Sequence, residues 1–167
     1  MTTEQIEAFR KKSIGDIGEN IAIEVLTENG YSNVINVNAN KMNETFGDVL
    51  CEKDGERFIV SVKARNKYQI DGKLNGSYKI SQNPKSTLKK SLYAEDKYNA
   101  IAAWMAIQID FEDNTASVYF GKLSELEGKA GISMRKCQKG LLGEILQKDK
   151  KYSFDSDFLT NQVKIDE

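Results

Sequence analysis

Histidine is absent from the 167-residue sequence, and its absence excludes several classes of enzyme. Serine and cysteine hydrolases that use a histidine base, and zinc hydrolases with an HExxH motif, need a side chain that this chain does not have. Any hydrolytic chemistry must therefore depend on carboxylates, lysine and a metal ion.

Cysteine and long apolar runs are also scarce. Cys51 and Cys137 are the two cysteines and show no CxxC spacing, which favours reduced, structural thiols over a disulfide framework or a zinc site. No apolar run approaches the roughly 18 to 20 residues that span a bilayer, and no apolar run of signal-peptide type follows the charged start of the chain. These absences predict a cytoplasmic protein.

The remaining composition is that of a globular protein. Hydrophobic residues make up 40% of the chain and charged residues 29%, with a single proline, which argues against a long disordered segment. We expect one domain over residues 1–167, with its core at about residues 3–150 and a peripheral tail at 151–167.

Capping signatures and helical spacing predict helix at the start of the chain. Thr2 with Gln5, and Asp16 with Glu19, have the form of helix N-termini. The predicted amphipathic helix ends at Asn29-Gly30, and Glu19 falls on the flank of its buried face. Its apolar residues recur at Ile14, Ile17, Ile21, Ala22, Val25 and Leu26.

The rest of the chain alternates between strand and helix patterns. The predicted elements are a strand at 31–37, strands at 45–51 and 57–65 joined by a hairpin at Asp54-Gly55, a loop at 66–85, a helix at 86–98, a buried central strand at 100–109, a strand at 116–120, and short helices at 124–127 and 141–147. This order predicts an α/β sandwich around a mixed central sheet.

Polar side chains of the predicted hairpin are expected to converge. Asp48 lies at the start of one strand and Lys63 near the end of the next, so an antiparallel register brings them together, and Ser61 shares the face of Lys63 because strand side chains alternate. Glu19 on the preceding helix is a candidate third group. Without histidine, phosphodiester hydrolysis needs a divalent ion held by carboxylates and a cation near the attacking water.

These residues resemble a known family. The segments Gly18-Glu19, Gly30-Tyr31, Phe46-Gly47-Asp48-Val49 and Ile59 to Arg65 resemble the PD-(D/E)XK nuclease superfamily, and most of all its branch with a helix glutamate, which includes the archaeal-type Holliday junction resolvases. The resemblance covers roughly residues 13–65 and implies a restriction-endonuclease-like α/β/α sandwich. It also implies that Glu19 and Asp48 bind Mg²⁺ or Mn²⁺ with the Val62 carbonyl as a further ligand, and that Lys63 is the catalytic cation.

Ser61 departs from the family pattern, because it stands where the family has an acidic metal ligand. A hydroxyl is a weaker metal ligand than a carboxylate. Glu52 and Glu56 lie too far along the strands to supply the carboxylate in place of Ser61, whereas Glu95 of the downstream helix is a candidate to supply it. Two carboxylates still suffice for Mg²⁺, which keeps several waters. The leading hypothesis is a metal-dependent DNA endonuclease in defence, recombination or repair.

The alternative is a nuclease-fold module without catalysis that binds DNA, a second copy of the chain, or a protein partner such as a toxin, an immunity protein or a restriction-complex subunit. Residues 63–97 suggest DNA binding, because this segment contains nine basic side chains and three acidic ones. Its candidate contacts are Lys79, Lys85, Lys89 and Lys90, with Tyr68, Tyr78 and Tyr93 as stacking platforms for exposed bases. A solvated charged face and ordinary tyrosine packing are the competing interpretations, and burial is expected for Tyr93.

Overall fold

The computed structural model of the protein describes residues 2–37 and 46–154. Three α-helices, one 3-10 helix and eight β-strands occur in these residues. In chain order they are α1 (Thr3–Glu28), β1 (Ser32–Asn36), β2 (Val49–Lys53), β3 (Glu56–Asn66), β4 (Ser77–Lys79), α2 (Pro84–Tyr98), β5 (Ile101–Asp110), β6 (Thr115–Lys122), the 3-10 helix (Leu123–Leu126), β7 (Gly131–Ser133), α3 (Met134–Gln138) and β8 (Glu144–Lys151).

A six-stranded mixed sheet forms the centre of the fold. Its strand order is β1-β2-β3-β5-β6-β8, with β3 and β5 parallel and every other neighbouring pair antiparallel. The hairpin at Asp54-Gly55 joins β2 to β3 as predicted, and both of its residues have positive φ, which suits a two-residue hairpin turn. Strands β4 and β7 pair in a separate two-stranded ribbon.

Helix α1 packs closely on one face of the sheet. It is continuous from Thr3 to Glu28, so the cap signature at Asp16 lies inside the helix, and the second helix start that it predicted is wrong. Burial explains the continuity, because the residues after Asp16 pack on the sheet and tertiary contacts outweigh a local capping preference. A Cβ atom at Gly18 would lie 2.4 Å from the Cβ of Ala64 on β3. Glycine therefore allows the close approach of α1 to the sheet.

The two faces of the sheet carry different layers. Along β3, Val60 and Ala64 belong to the apolar core under α1, whereas Ile59 belongs to a cluster that also contains Ala94 of α2. The ribbon, α3 and the 3-10 helix cover the rest of the α2 side, around buried Trp104. Helices on both faces of a mixed sheet confirm the predicted α/β/α sandwich.

The predicted helix at 141–147 is wrong. Residues Glu144–Lys151 form β8, an edge strand that pairs antiparallel with β6. The exposed backbone groups along the β6 edge offer hydrogen bonds over the whole segment, and such long-range pairing outweighs local propensity. The ribbon strands β4 and β7 and helix α3 were also missed, because each contains five residues or fewer.

The end of the described chain belongs to the core. Phe154 is buried, and its ring centroid lies 5.2 Å from that of Phe111 and 5.5 Å from that of Tyr152. The prediction that residues 152–154 belong to a peripheral tail is therefore wrong. Residues 155–167 of that tail lie outside the described residues. Cys51 and Cys137 are buried and free, as predicted. Within the described ranges, no helix has both the length and the apolar character to cross a membrane.

Candidate active site on the α2 face of the central sheet

Asp48, Ser61 and Lys63 open into one small cavity on the α2 face of the sheet. The cavity has a volume of about 50 Å³. Asp48 immediately precedes β2, and Ser61 and Lys63 lie two residues apart on β3, so the antiparallel hairpin brings them together as the sequence predicted. The described side chains that line the cavity are Phe46, Gly47, Asp48, Ser61, Lys63, Ile80, Ser81, Thr87 and Lys90.

The backbone around Asp48 holds its carboxylate in place. Gly47 has φ of +99°, and a Cβ there would lie 2.4 Å from Cγ1 of Ile59, so only glycine fits this turn. The Asp48 N–H donates to the Val60 carbonyl at 2.7 Å, and Asp48 Oδ2 accepts from the Val62 N–H at 2.7 Å. The carboxylate is therefore oriented by the strand that carries Ser61 and Lys63.

Lys63 is a partly buried cation. Burial lowers the pKa of its ammonium group, while Asp48 raises that pKa and Arg65 and Lys90 lower it further. No ion pair joins Lys63 to a carboxylate within the part of the chain that the structure describes. Its charge is thus available to a ligand in the cavity.

Glu19 lies at the same end of the sheet as Asp48. Its Oε1 accepts a hydrogen bond from Nδ2 of Asn36 at 3.0 Å, and Asn36 pairs across the sheet with Val49, the residue after Asp48. Glu19 is not among the described residues that line the cavity. The two carboxylates therefore approach this end of the sheet from different elements, with Asn36 positioning Glu19.

The oxygen donors fit a sparsely ligated Mg²⁺ or Mn²⁺. Carboxylates and a backbone carbonyl are the ligands that these hard cations prefer, and Mg²⁺ keeps several waters. Because the N–H and C=O of one strand residue project to the same side, the Val62 carbonyl faces the same edge as the N–H that binds Asp48. Among the described residues there is no group of three acidic or cysteine side chains that could hold a metal ion.

Glu95 does not replace the missing acid. Its Oε2 accepts a hydrogen bond from the Ala102 N–H at 2.9 Å. It lines a different groove of about 230 Å³, between α2 and the 3-10 helix. Glu52 accepts a hydrogen bond from Asn33, and Glu56 forms an ion pair with Lys122 at 3.6 Å. The two glutamates lie at the turn end of the hairpin, as the sequence predicted.

The four candidate DNA-contacting lysines occupy two kinds of position. Lys79 on β4 and Lys85 and Lys89 on α2 are exposed, whereas Lys90 is half-buried and lines the cavity. Ser81 and Thr87 also line the cavity, and sequence reasoning missed both. The signal that could have revealed them is Asn83-Pro84, because Asn83 caps α2 and accepts from the Ser86 N–H at 2.8 Å.

The candidate base-stacking tyrosines differ from expectation. Tyr78 is 1% exposed, so its predicted stacking role is wrong: the ribbon folds its ring against the central sheet. Tyr93 is 61% exposed, and its predicted burial is wrong because it lies on the outer face of α2. Tyr68 is 44% exposed, with Nζ of Lys67 5.5 Å from its ring centroid. Tyr68 and Tyr93 remain accessible to a ligand.

Comparison with known proteins returns a structural likeness alone. No protein-family model matches the chain, and no curated protein matches it. Among solved structures, the chain is similar to Hjc, a Holliday junction resolvase from the archaeal hyperthermophile Archaeoglobus fulgidus. The sequence identity is 12%, the TM-score is 0.49, and the match covers 72% of this chain and 88% of the resolvase.

Proposed function

We propose that the protein is a metal-dependent nuclease that hydrolyses DNA phosphodiester bonds at the cavity of Asp48 and Lys63. The observation that carries this proposal is the shared opening of Asp48, Ser61 and Lys63 into one cavity, with the Asp48 carboxylate held by the Val62 N–H at 2.7 Å. A fixed carboxylate beside a desolvated ammonium group suits the stabilisation of charge on a reacting phosphate.

Each residue has a defined role in this proposal. Asp48 and Glu19 would hold Mg²⁺ or Mn²⁺ with the Val62 carbonyl, and the bound ion would supply an activated water and neutralise phosphate charge. Asn36 keeps Glu19 directed towards the end of β2 through their hydrogen bond of 3.0 Å. Lys63 acts as a cation that orients the attacking water and stabilises negative charge, so it must remain protonated during the reaction.

The exposed lysines beside the cavity support a DNA strand as the substrate. Lys79, Lys85 and Lys89 lie on β4 and α2, the elements that border the cavity, and each is exposed. Phosphate contacts by such side chains position a nucleic acid without reading its sequence. A strand that follows these lysines would be led to Lys90 and the cavity.

A cleavage assay with matched aspartate variants tests the proposal. Linear, branched and single-stranded DNA would be incubated with the protein in Mg²⁺ or Mn²⁺. We expect wild type to cut at least one of these substrates and Asp48→Asn to lose cleavage, because the amide cannot carry the carboxylate charge. Asp54→Asn, in the exposed hairpin turn, is the control and should cut like wild type. The proposal fails if wild type cuts nothing, or if Asp48→Asn cuts equally well.

The second candidate is a module of the same fold that binds DNA and does not cut it. Ser61 in place of an acid favours this candidate, as does the lack of a three-acid cluster among the described residues. Ser61→Glu separates the two functions, since it restores the missing carboxylate. Cleavage by Ser61→Glu but not by wild type would identify the natural protein as a binding module.

A further inference from the structure

The charge inside the cavity favours an anion. Asp48 contributes one negative charge, whereas Lys63 and Lys90 contribute two positive charges, and these three are the charged groups among its described lining residues. Neither lysine forms an ion pair within the described ranges. The two ammonium groups line the same small cavity, so their like charges repel each other. A bound anion would relieve that repulsion.

The Ser61 hydroxyl is an unused hydrogen-bond donor at the same place. Ser61 is 4% exposed and opens into the cavity, but its hydroxyl has no hydrogen-bond partner among the residues that the structure describes. The neighbouring hydroxyls differ, because those of Ser81 and Thr87 contact each other and both lie within hydrogen-bond distance of the Asn83 carbonyl, so each has a partner. The hydroxyl is not among the fully buried atoms without a partner, so it is open to an acceptor atom of a ligand in the cavity.

The geometry points to a phosphate subsite formed by Ser61, Lys63 and Lys90, which binds a phosphate group of DNA without a divalent cation. This assignment deepens the proposed function, on which it rests for the identity of the phosphate as part of a DNA strand. Ser61 then donates a hydrogen bond to the phosphate, where an acid at the same position would bind a metal. With serine at position 61, this position would bind an anion, whereas an acidic residue there would bind a cation.

The size and donors of the cavity match this ligand. A volume of about 50 Å³ leaves room for a few water-sized groups, such as the oxygens of one phosphate, and two ammonium groups with a hydroxyl supply the donors. Ammonium donors bind phosphate through charge-assisted hydrogen bonds, which are stronger than neutral ones. The Asp48 carboxylate stands beside the subsite, where the proposed metal would meet the phosphate.

Titration with inorganic phosphate in the presence of EDTA tests the subsite on the full chain. Binding would be followed by NMR through the amide shifts of residues 61–63 and 87–90. We expect wild type to bind phosphate with shifts confined to these residues, and Lys90→Gln to bind about tenfold more weakly, since the variant cannot form one of the charge-assisted hydrogen bonds. The matched control is Lys148→Gln, an exposed lysine on β8 that lies outside the proposed DNA-binding surface, which should bind like wild type.

Ser61 variants provide the second arm. Ser61→Ala should weaken phosphate binding several-fold, and Ser61→Asp should abolish it by adding a negative charge to the cavity. Unchanged amide spectra away from the site would show that each variant is folded. The inference is overturned if wild type binds no phosphate in EDTA, if the Lys90 and Lys148 variants bind equally, or if Ser61→Asp binds as well as wild type.

Failure of the subsite and failure of the proposed function give different results. Phosphate binding in EDTA without any DNA cleavage in Mg²⁺ would refute the nuclease and leave the subsite standing. Cleavage by a wild-type protein that binds no phosphate in EDTA would refute the subsite alone.

Discussion

The two faces of the central sheet differ in chemistry although they share the same strands. On the α1 face, Gly18 brings the helix against Ala64 of β3. Tyr31, Phe58 and Phe120 pack there with ring centroids 5.5 to 6.3 Å apart. That face is an apolar core with tight aromatic and aliphatic packing.

The α2 face buries polar groups. Ser61 and Gln108 are almost fully buried there, and Tyr78 Oη, Trp104 Nε1 and Gln108 Nε2 have no hydrogen-bond partner within the described structure. Such groups cost stability. Strand alternation thus places Ser61 and Lys63 on the α2 face, whereas Val60 and Ala64 of the same strand pack in the apolar core under α1. Variants of these two groups of residues should fail in different assays.

Loss of the Lys63 charge should produce the largest change on the α2 face. In Lys63→Met we expect DNA cleavage to fall by about a hundredfold to a thousandfold, as when one charge-stabilising group is removed from an active site. Burial lowers the pKa of Lys63, so the protonated ammonium is less stable in the folded state than in the unfolded chain, and thermal stability should not decrease. Single-turnover cleavage and thermal unfolding check this result against Lys67→Met as the control. Cleavage at the wild-type rate would show that Lys63 is not a catalytic residue.

Truncation of a buried side chain on the α1 face should lower stability and leave cleavage unchanged. Ile21 is fully buried in the core under α1, so Ile21→Ala should lower the free energy of unfolding by about 2 to 5 kcal/mol. Cleavage per folded molecule should stay near that of wild type. Denaturant unfolding monitored by Trp104 fluorescence measures the loss, and Leu88→Ala, at an exposed position on α2, should change stability by less than about 1 kcal/mol. An equal loss of unfolding free energy in Ile21→Ala and Leu88→Ala would contradict the stabilising role of the core under α1.

Removal of the Lys90 charge should shift the pH dependence. Lys90 lowers the pKa of Lys63, so Lys90→Met should raise it. Because Lys63 acts as a cation, cleavage declines as pH rises through its pKa, and the decline should move to higher pH in the variant. Normalised pH profiles of cleavage measure the shift, with Lys89→Met expected to match wild type. If the decline in cleavage occurs at the same pH as in wild type, or at lower pH, then the charge of Lys90 does not lower the pKa of Lys63.

The exposed lysines should give the smallest effects. Lys85→Glu or Lys89→Glu should weaken DNA binding a few-fold and reduce the slope of log affinity against log salt concentration by about 1 for each phosphate that the variant no longer neutralises. Fluorescence anisotropy at several salt concentrations measures both quantities. Lys148→Glu, exposed on β8 at the far edge of the sheet, is the control. An equal loss in the control would indicate a general charge effect instead of a DNA-binding surface.

Local sequence signals predicted the centre of the site. Asp54-Gly55 favours a two-residue hairpin, and that turn sets the register in which Lys53 pairs with Glu56 and Val49 with Val60. Once this register is set, strand alternation places Ser61 and Lys63 on one face with Asp48 at the adjacent strand end. Gly47 and Gly18 were visible in the sequence, but their close contacts with Ile59 and Ala64 were not.

Distant contacts determined what the sequence left open. The segment at β8 joins the sheet because β6 offers it an edge, and Tyr78 is buried because the ribbon of β4 and β7 folds onto Trp104. Thr87 and Lys90 reach the cavity through the docking of α2 on β3 and β5, and Ser81 reaches it from the segment between β4 and α2.

The sequence by itself therefore determined the hairpin, the side-chain alternation along its strands and the meeting of Asp48 and Lys63 at one cavity, since these depend on turn chemistry and a two-residue period within neighbouring segments. Only the tertiary structure decided that the site also contains the α2 cation and that Ser61 is buried beside it. Residues far apart in the chain meet there because packing of α2 on the sheet, and not any local preference, brings Lys90 over β3.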